Sequence, residues 1–324
     1  MKLATFSIKG NDTPTIGGFV SDTYVDLHAM SDSALPHSMI ELLSAGSDAQ
    51  DKARSLLADA EAALKDADAK SLQANGKRYA YAADEIDLMA PVPLPGKIIH
   101  TACNFDAHLN ELTTWNDPEW ESHNWKDFHF EHPTGFLQAP SSVAAHNASV
   151  EIPVFTKQLD YEIEIAIIIG KEAYQVSSED AMDYVAGYTI FNDLSARDIQ
   201  AREHSNKVVL MGKSFKNSCP LGPLLVTPDE LSDPHNLDMK LRVNNELRQD
   251  ANTSMMHYKT AELVSWWSLM GLYPGDVITS GSPPGVIAGM ENPVWLKPGD
   301  IIEATVAELG TLTTNIVKRD LVVP

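Results

Sequence analysis

The sequence predicts a mainly β protein with some helix, an α+β fold. Three observations carry that prediction. Many short β-branched runs are separated by turn signals, one clear amphipathic helix interrupts them, and a proline-rich break sets off a differently textured amino-terminal stretch. At 324 residues the chain has room for about two domains.

The elements follow in order. Short β-like runs at 2–9 and 19–27 flank Gly17-Gly18. Over 51–72, Leu56, Leu57, Ala60 and Leu64 recur at helical spacing with Asp, Glu and Lys between them, which predicts a surface helix. Met89-Ala90-Pro91-Val92-Pro93-Leu94-Pro95-Gly96 then marks a boundary between a small α+β domain, 1–92, and a larger one, 93–324. Beyond it, 97–100, 161–169, 186–191, 239–243, 276–279, 301–306 and 311–317 read as strands. Pro274-Gly275-Asp276 and Pro298-Gly299-Asp300 supply turns before two of them, and Leu309-Gly310 before the last. Leu263, Trp266, Trp267 and Met270 form one apolar helix face.

Composition excludes several function classes. Lys+Arg number 24 against 45 Asp+Glu, a formal net charge of −21, so phosphate backbones are repelled and nucleic-acid binding is not expected. Hydrophobic residues at 44% and charged residues at 21% argue for a folded chain. No apolar run approaches the roughly 18–20 residues that span a bilayer, so no membrane partner is expected. Met1-Lys2-Leu3-Ala4-Thr5-Phe6 is too short and polar for a secretory signal. Cys103 and Cys219 are far apart and suggest neither a disulfide framework nor a zinc site. The expectation is a soluble, cytoplasmic protein.

Five segments can carry chemistry. In 160–165, Glu162 and Glu164 are two apart, so on a strand they share a face. Two adjacent carboxylates repel, and a hard divalent cation relieves the repulsion; taken alone, the pair also reads as the charged face of a half-exposed strand. Asp193 ends an apolar strand and can add a third oxygen ligand or cap the next helix. His108 and Glu111, at i and i+3, are helix neighbours; a carboxylate beside an imidazole suits a general base. Lys213 lies among small residues in Gly212-Lys213-Ser214-Phe215. Ser280-Gly281-Ser282-Pro283-Pro284-Gly285 is a loop able to offer donors to a carboxylate or an oxyanion, or simply a turn.

The order and spacing of these segments resemble the fumarylacetoacetate hydrolase family. The resemblance rests on Asn104-Phe105-x-x-His108-x-x-Glu111, Asp160-x-Glu162-x-Glu164, and the 187–200 stretch with Asn192-Asp193 and Ser195-Ala196-Arg197-Asp198-x-Gln200. It continues through Gly212-Lys213-Ser214-Phe215, Cys219-Pro220-Leu221-Gly222-Pro223, Val243-Asn244-x-Glu246, Pro274-Gly275-Asp276 and Gly281-x-Pro283-x-Gly285. It implies a mixed β-sandwich roll as catalytic domain, a homodimer, and a small-molecule 2-oxo acid substrate. It also implies Mg2+, or Mn2+ or Ca2+, held by Glu162, Glu164 and Asp193. Gln200 and Lys213 would contact substrate, Ser280, Gly281 and Ser282 would hold its carboxylate, and His108 with Glu111 would activate water. The expected reaction is hydrolysis of a C–C bond in an acylpyruvate or related 1,3-dicarbonyl through a metal-stabilised enolate, with Lys213 supporting the oxyanion. Decarboxylation, isomerisation and dehydration need the same site, and a non-catalytic binding relative is the alternative of another class.

The departures from the family pattern lie near the site. Phe105 stands where Tyr is usual, Ser280 and Ser282 where threonines are typical, and Gln138 where many members have a lysine. An aromatic-rich insertion at about 112–132 follows the His/Glu segment and is read as a lid or a dimer contact. Catalytic contacts often form only on closure, so His108 and Glu111 are expected to reach the carboxylates only when 104–132 is closed.

Overall fold

The computed structural model describes residues 1–112 and 131–319. Most of the insertion expected to act as lid or dimer contact therefore lies outside the described residues. Of its aromatic residues, His132 is described and stacks on Trp266 at 4.2 Å.

Among the described residues, two sheets dominate. The larger has 12 strands, and its main path runs Ala80–Tyr81, Thr23–Asp26, Thr15–Val20, Lys2–Ile8, Cys219–Val226, Val185–Asn192, Ile163–Ile169, Val277–Thr279, Ile98–Thr101 and Gly135–Gln138. The smaller has five strands in the order Ala148–Glu151, Gly310–Val317, Ile301–Val306, Asp238–Val243 and Glu246–Asn252. Most pairs are antiparallel, but Val277–Thr279 runs parallel to Ile98–Thr101, so the sheet is mixed as expected. The expected amino-terminal domain shares this sheet: Lys2 and Leu3 pair with Val226 and Leu225.

The strand Ile163–Ile169 explains the layering. Ile163, Ile165, Ile167 and Ile169 join a core with Leu241, Ile302, Ala304 and Leu312 of the smaller sheet. Ala166 and Ile168, on the opposite face, join Leu42, Leu57 and Ala60 from the amino-terminal helices. Both faces are buried, which is why this run is apolar throughout rather than alternating. Truncating Ile167 to Ala removes packing worth about 2–5 kcal/mol. The carboxylates stand at one end of the face that carries Ala166 and Ile168.

Several boundaries differ from expectation for identifiable reasons. The central strand begins at Ile163, not at 161, because Tyr161 and Glu162 give their N–H groups to Asp160 and Asn192 side chains. The surface helix spans Ser47–Asp66 and buries Ala53, Leu57 and Ala60. The helix Thr260–Trp267 tightens into a 3-10 turn at Ser268–Met270, which swings Met270 out to solvent. Cys219–Val226 is a strand despite two prolines, and its pairing with Val185–Asn192 is irregular between Tyr188 and Ile190. Glu246–Asn252 is polar because it forms an edge of the smaller sheet. No described helix is long and apolar enough to cross a membrane.

Candidate active site

Two strands deliver the three carboxylates. Glu162 and Glu164 lie at the start of Ile163–Ile169, and Asp193 directly follows Val185–Asn192. The pairing of Ile163 with Asn192, and the Asp193 N–H bond to Glu162 O at 2.9 Å, bring the three together. All three are buried.

Two cations share this buried cluster. Lys213 Nζ donates to Glu162 Oε2 at 2.6 Å, to Asp193 Oδ2, and to Ser195 Oγ at 2.7 Å. Arg197 donates to Asp160 at 2.8 Å, to Glu162 Oε1 at 2.6 Å and to Gln200 Oε1 at 3.0 Å. Asp160 also accepts from the Ile287 and Ala288 N–H groups, which fixes the loop beside the site. Four buried carboxylates thus face two buried cations, so full ionisation would leave an excess of two negative charges.

That imbalance falls unevenly. Burial alone would raise the Glu162 carboxyl, but Arg197 and Lys213 outweigh it and hold the group well below the usual carboxylate range. Glu164 is pushed well above that range by burial and by the charges of Asp193 and Glu162. Asp193 is raised to about 7 by burial, against the pull of Lys213. The Glu164 and Asp193 side is where a further positive charge is needed.

His100 completes that side. The alternation of Ile98–Thr101 puts His100 on the face of Ile98, which shares a core with Ala166 and Ile168. His100 Nδ1 lies 3.4 Å from Asp193 Oδ2 and 4.0 Å from Glu164 Oε1. Burial, aided by Lys213, lowers the imidazole to about 3, so it is uncharged at neutral pH. One ligand atom each from His100, Glu164 and Asp193 lie within 4.8 Å of one another, close enough for a single ion. Two carboxylates and a neutral imidazole suit a divalent cation, whose charge equals the excess. Glu162, also expected among the ligands, is ion-paired to Arg197 and Lys213.

The expected base pair sits over this cluster. His108 and Glu111 lie on the helix Asp106–Leu112, with Nδ1 to Oε2 at 3.1 Å. His108 Nε2 is 3.8 Å from Glu162 Oε1, so the pair reaches the carboxylates; most of the segment whose closure was expected to bring it to the metal lies outside the described residues. The pair is anchored: Glu111 accepts the Gly285 N–H at 3.0 Å, and a Cβ on Gly289 would sit 2.2 Å from Glu111 Cγ.

The expected substrate contacts have partners within the protein. Gln200 bonds Arg197, and the Gly281 N–H donates to Glu164 at 3.0 Å from a backbone with φ of 78°. Ser280 Oγ accepts the Ile165 N–H, and Ser282 Oγ accepts from Gln249. Sequence reasoning assigned no role to His100, Arg197 or Asp160. The signal for His100 was present: an imidazole directly after Ile98-Ile99 in a short run read as a buried strand.

With this geometry in hand, the comparisons with known proteins are informative. Residues 97–317 match the family profile described as fumarylacetoacetate (FAA) hydrolase C-terminal. The chain is 36% identical over 320 residues to a mitochondrial oxaloacetate tautomerase of Xenopus laevis, covering 98% of this chain and 90% of that one. A solved fumarylacetoacetate hydrolase from psychrophilic Exiguobacterium antarcticum matches with a TM-score of 0.76 at 30% identity, over 98% of this chain and 100% of that one. A maleylpyruvate hydrolase from Sphingobium sp. SYK-6 matches with a TM-score of 0.70 at 27% identity, over 98% and 100%.

Proposed function

The chain belongs to the fumarylacetoacetate hydrolase family, and from that premise we propose that it interconverts the keto and enol forms of a 2-oxo dicarboxylate such as oxaloacetate. The observation that carries this reading is the commitment of Lys213. Its ammonium has three protons, and Glu162, Asp193 and Ser195 take all three. Hydrolysis calls for a donor to the tetrahedral oxyanion, the role expected of Lys213, whereas tautomerisation calls only for a proton carrier beside a polarised carbonyl. The relative named as an oxaloacetate tautomerase supports the same choice.

A divalent ion held by Glu164 and Asp193 would polarise the 2-oxo group and acidify the neighbouring C–H. His108 Nε2, with Glu111 at Nδ1, takes a proton from C3 of the substrate. It returns that proton to the 2-oxo oxygen: the C3–H bond breaks, its electron pair becomes the C2=C3 double bond, the C=O π pair moves to oxygen, and an O–H bond forms there. Arg197 and Lys213 keep Glu162 ionised beside His108, where its charge favours the imidazolium formed in between.

Hydrolysis of an acylpyruvate is the second reading. It is favoured by the His108–Glu111 pair, which can equally deprotonate a water molecule. Decay of freshly dissolved enol-oxaloacetate, together with deuterium exchange at C3 followed by NMR, tests the first. The expected result is acceleration above that given by the free ion, falling roughly 10²–10⁴-fold in His108→Ala while ion affinity is kept. Release of pyruvate from acylpyruvates, with exchange at C3 of oxaloacetate no faster than with free ion, would replace tautomerisation by hydrolysis.

A further inference from the structure

We propose that His100 is a nitrogen ligand of the divalent-ion centre, oriented by Gln138, and that it turns the centre toward first-row transition ions and away from magnesium and calcium. This rests on reading the Glu164 and Asp193 side as an ion site. The ring is held rigidly, stacked on Phe136 at 4.7 Å and edge-on to Phe191 at 5.2 Å. Nδ1 is the nitrogen that faces the two carboxylates. Thr279 Oγ1 lies 3.1 Å from Nδ1, and a hydroxyl proton that rotates away leaves the nitrogen lone pair to an ion.

The other ring nitrogen supplies an independent observation. His100 Nε2 is buried without a hydrogen-bond partner, and so is Gln138 Oε1. The Gln138 amide nitrogen is tied to Lys213 O, to Asp193 Oδ1 at 3.4 Å and to Ser218 Oγ at 3.5 Å. With that end fixed, Gln138 Oε1 is an unpartnered buried acceptor, and His100 Nε2 an unpartnered buried ring nitrogen. A proton on Nε2 shared with Gln138 leaves Nδ1 unprotonated and aimed at Asp193. Ligating histidines are held in this way, the ring N–H opposite the metal being given to an acceptor that fixes tautomer and orientation. The side-chain amide of Gln138 can offer an acceptor to an imidazole N–H. Gln138 and His100 therefore work as a pair in this chain. Oxygen-only sites suit magnesium and calcium, and an imidazole nitrogen shifts preference to later first-row ions such as Co2+ and Ni2+.

The test uses the full chain freed of metal by a chelator. Pulsed EPR of bound Mn2+ reads nitrogen coupling, and calorimetry reads the affinities for Co2+ and Mg2+. The wild type is expected to show a histidine nitrogen coupling and to prefer Co2+. His100→Asn should lose the coupling, and its Co2+ over Mg2+ preference should fall about 10–100-fold. Gln138→Met should keep the coupling with a smaller fall in preference. Mn2+ bound to the wild type without nitrogen coupling, or an unchanged preference in a His100→Asn chain that melts normally, overturns the role of His100 alone. No ion bound at all would overturn the ion-site reading with it. Should His100→Asn fail to fold, the wild-type coupling decides.

Discussion

Glu162 and Glu164 sit two residues apart at one end of the same sheet face, 5% and 2% exposed, and carry opposite charge tendencies. Burial penalises both ionised forms equally in kind. Glu162 has Arg197 and Lys213 within 2.6 Å and stays ionised, whereas Glu164 has a backbone N–H, a neutral imidazole and the charge of Asp193 beside it, and is driven toward its protonated form. The difference teaches that partners, not depth, decide what a buried carboxylate does. Glu162 is ion-paired within the protein, whereas Glu164, among the described residues, has no Lys or Arg ion pair.

Lys213→Met is the strongest way to break this contrast, because Lys213 serves both Glu162 and Asp193. Removing one partner of a buried ion pair strands the other, which costs about 3–5 kcal/mol. Urea unfolding in the presence of chelator should show that loss. A variant as stable as the wild type would mean that the ammonium does not hold Glu162 ionised.

The same contrast explains how much was legible from sequence. Glu162, Glu164, Asp193, His108, Glu111 and Lys213 converge as expected, since residue type and strand alternation place them. Their division of labour was not legible, because it depends on Arg197 and Lys213 arriving from a different helix and loop to claim Glu162. In the fold, the strand Ile301–Val306 was plain because its apolar residues alternate with exposed ones. Cys219–Val226 was hidden by prolines that an irregular pairing tolerates. His100 was passed over because a short buried strand hides its direction until its neighbours are known.

Glu164→Gln sharpens the comparison from the other side. The amide still accepts the Gly281 N–H but carries no charge, so the burial penalty on Glu164 disappears. Without added ion the variant should unfold no more easily than the wild type at pH 8. Its affinity for Mn2+ should fall at least about tenfold, the lower bound for weakening a metal site. Marked destabilisation without any change in Mn2+ affinity would assign Glu164 to the folded framework, alongside Glu162.

The smallest expected effect is a dependence on pH. Asp193 titrates near 7 in the folded chain against an ordinary value of 3.8, raised first by burial. A raised carboxyl favours the folded state fully below its ordinary value, and that contribution is lost as pH climbs through about 7. Glu164 is raised as well and works in the same direction. Ion binding has the opposite sign, because a carboxylate must lose its proton before it can ligate. Affinity for Mn2+ should therefore rise with pH across this window, by at most about tenfold per unit for each proton released. Thermal melts with and without MnCl2 should diverge from pH 5.5 to pH 8: the ion-free midpoint falls, and the stabilisation by ion grows. Parallel melts across that range would show Asp193 ionised throughout, and the Asp193 and Glu164 side would then differ from the Glu162 side in geometry alone.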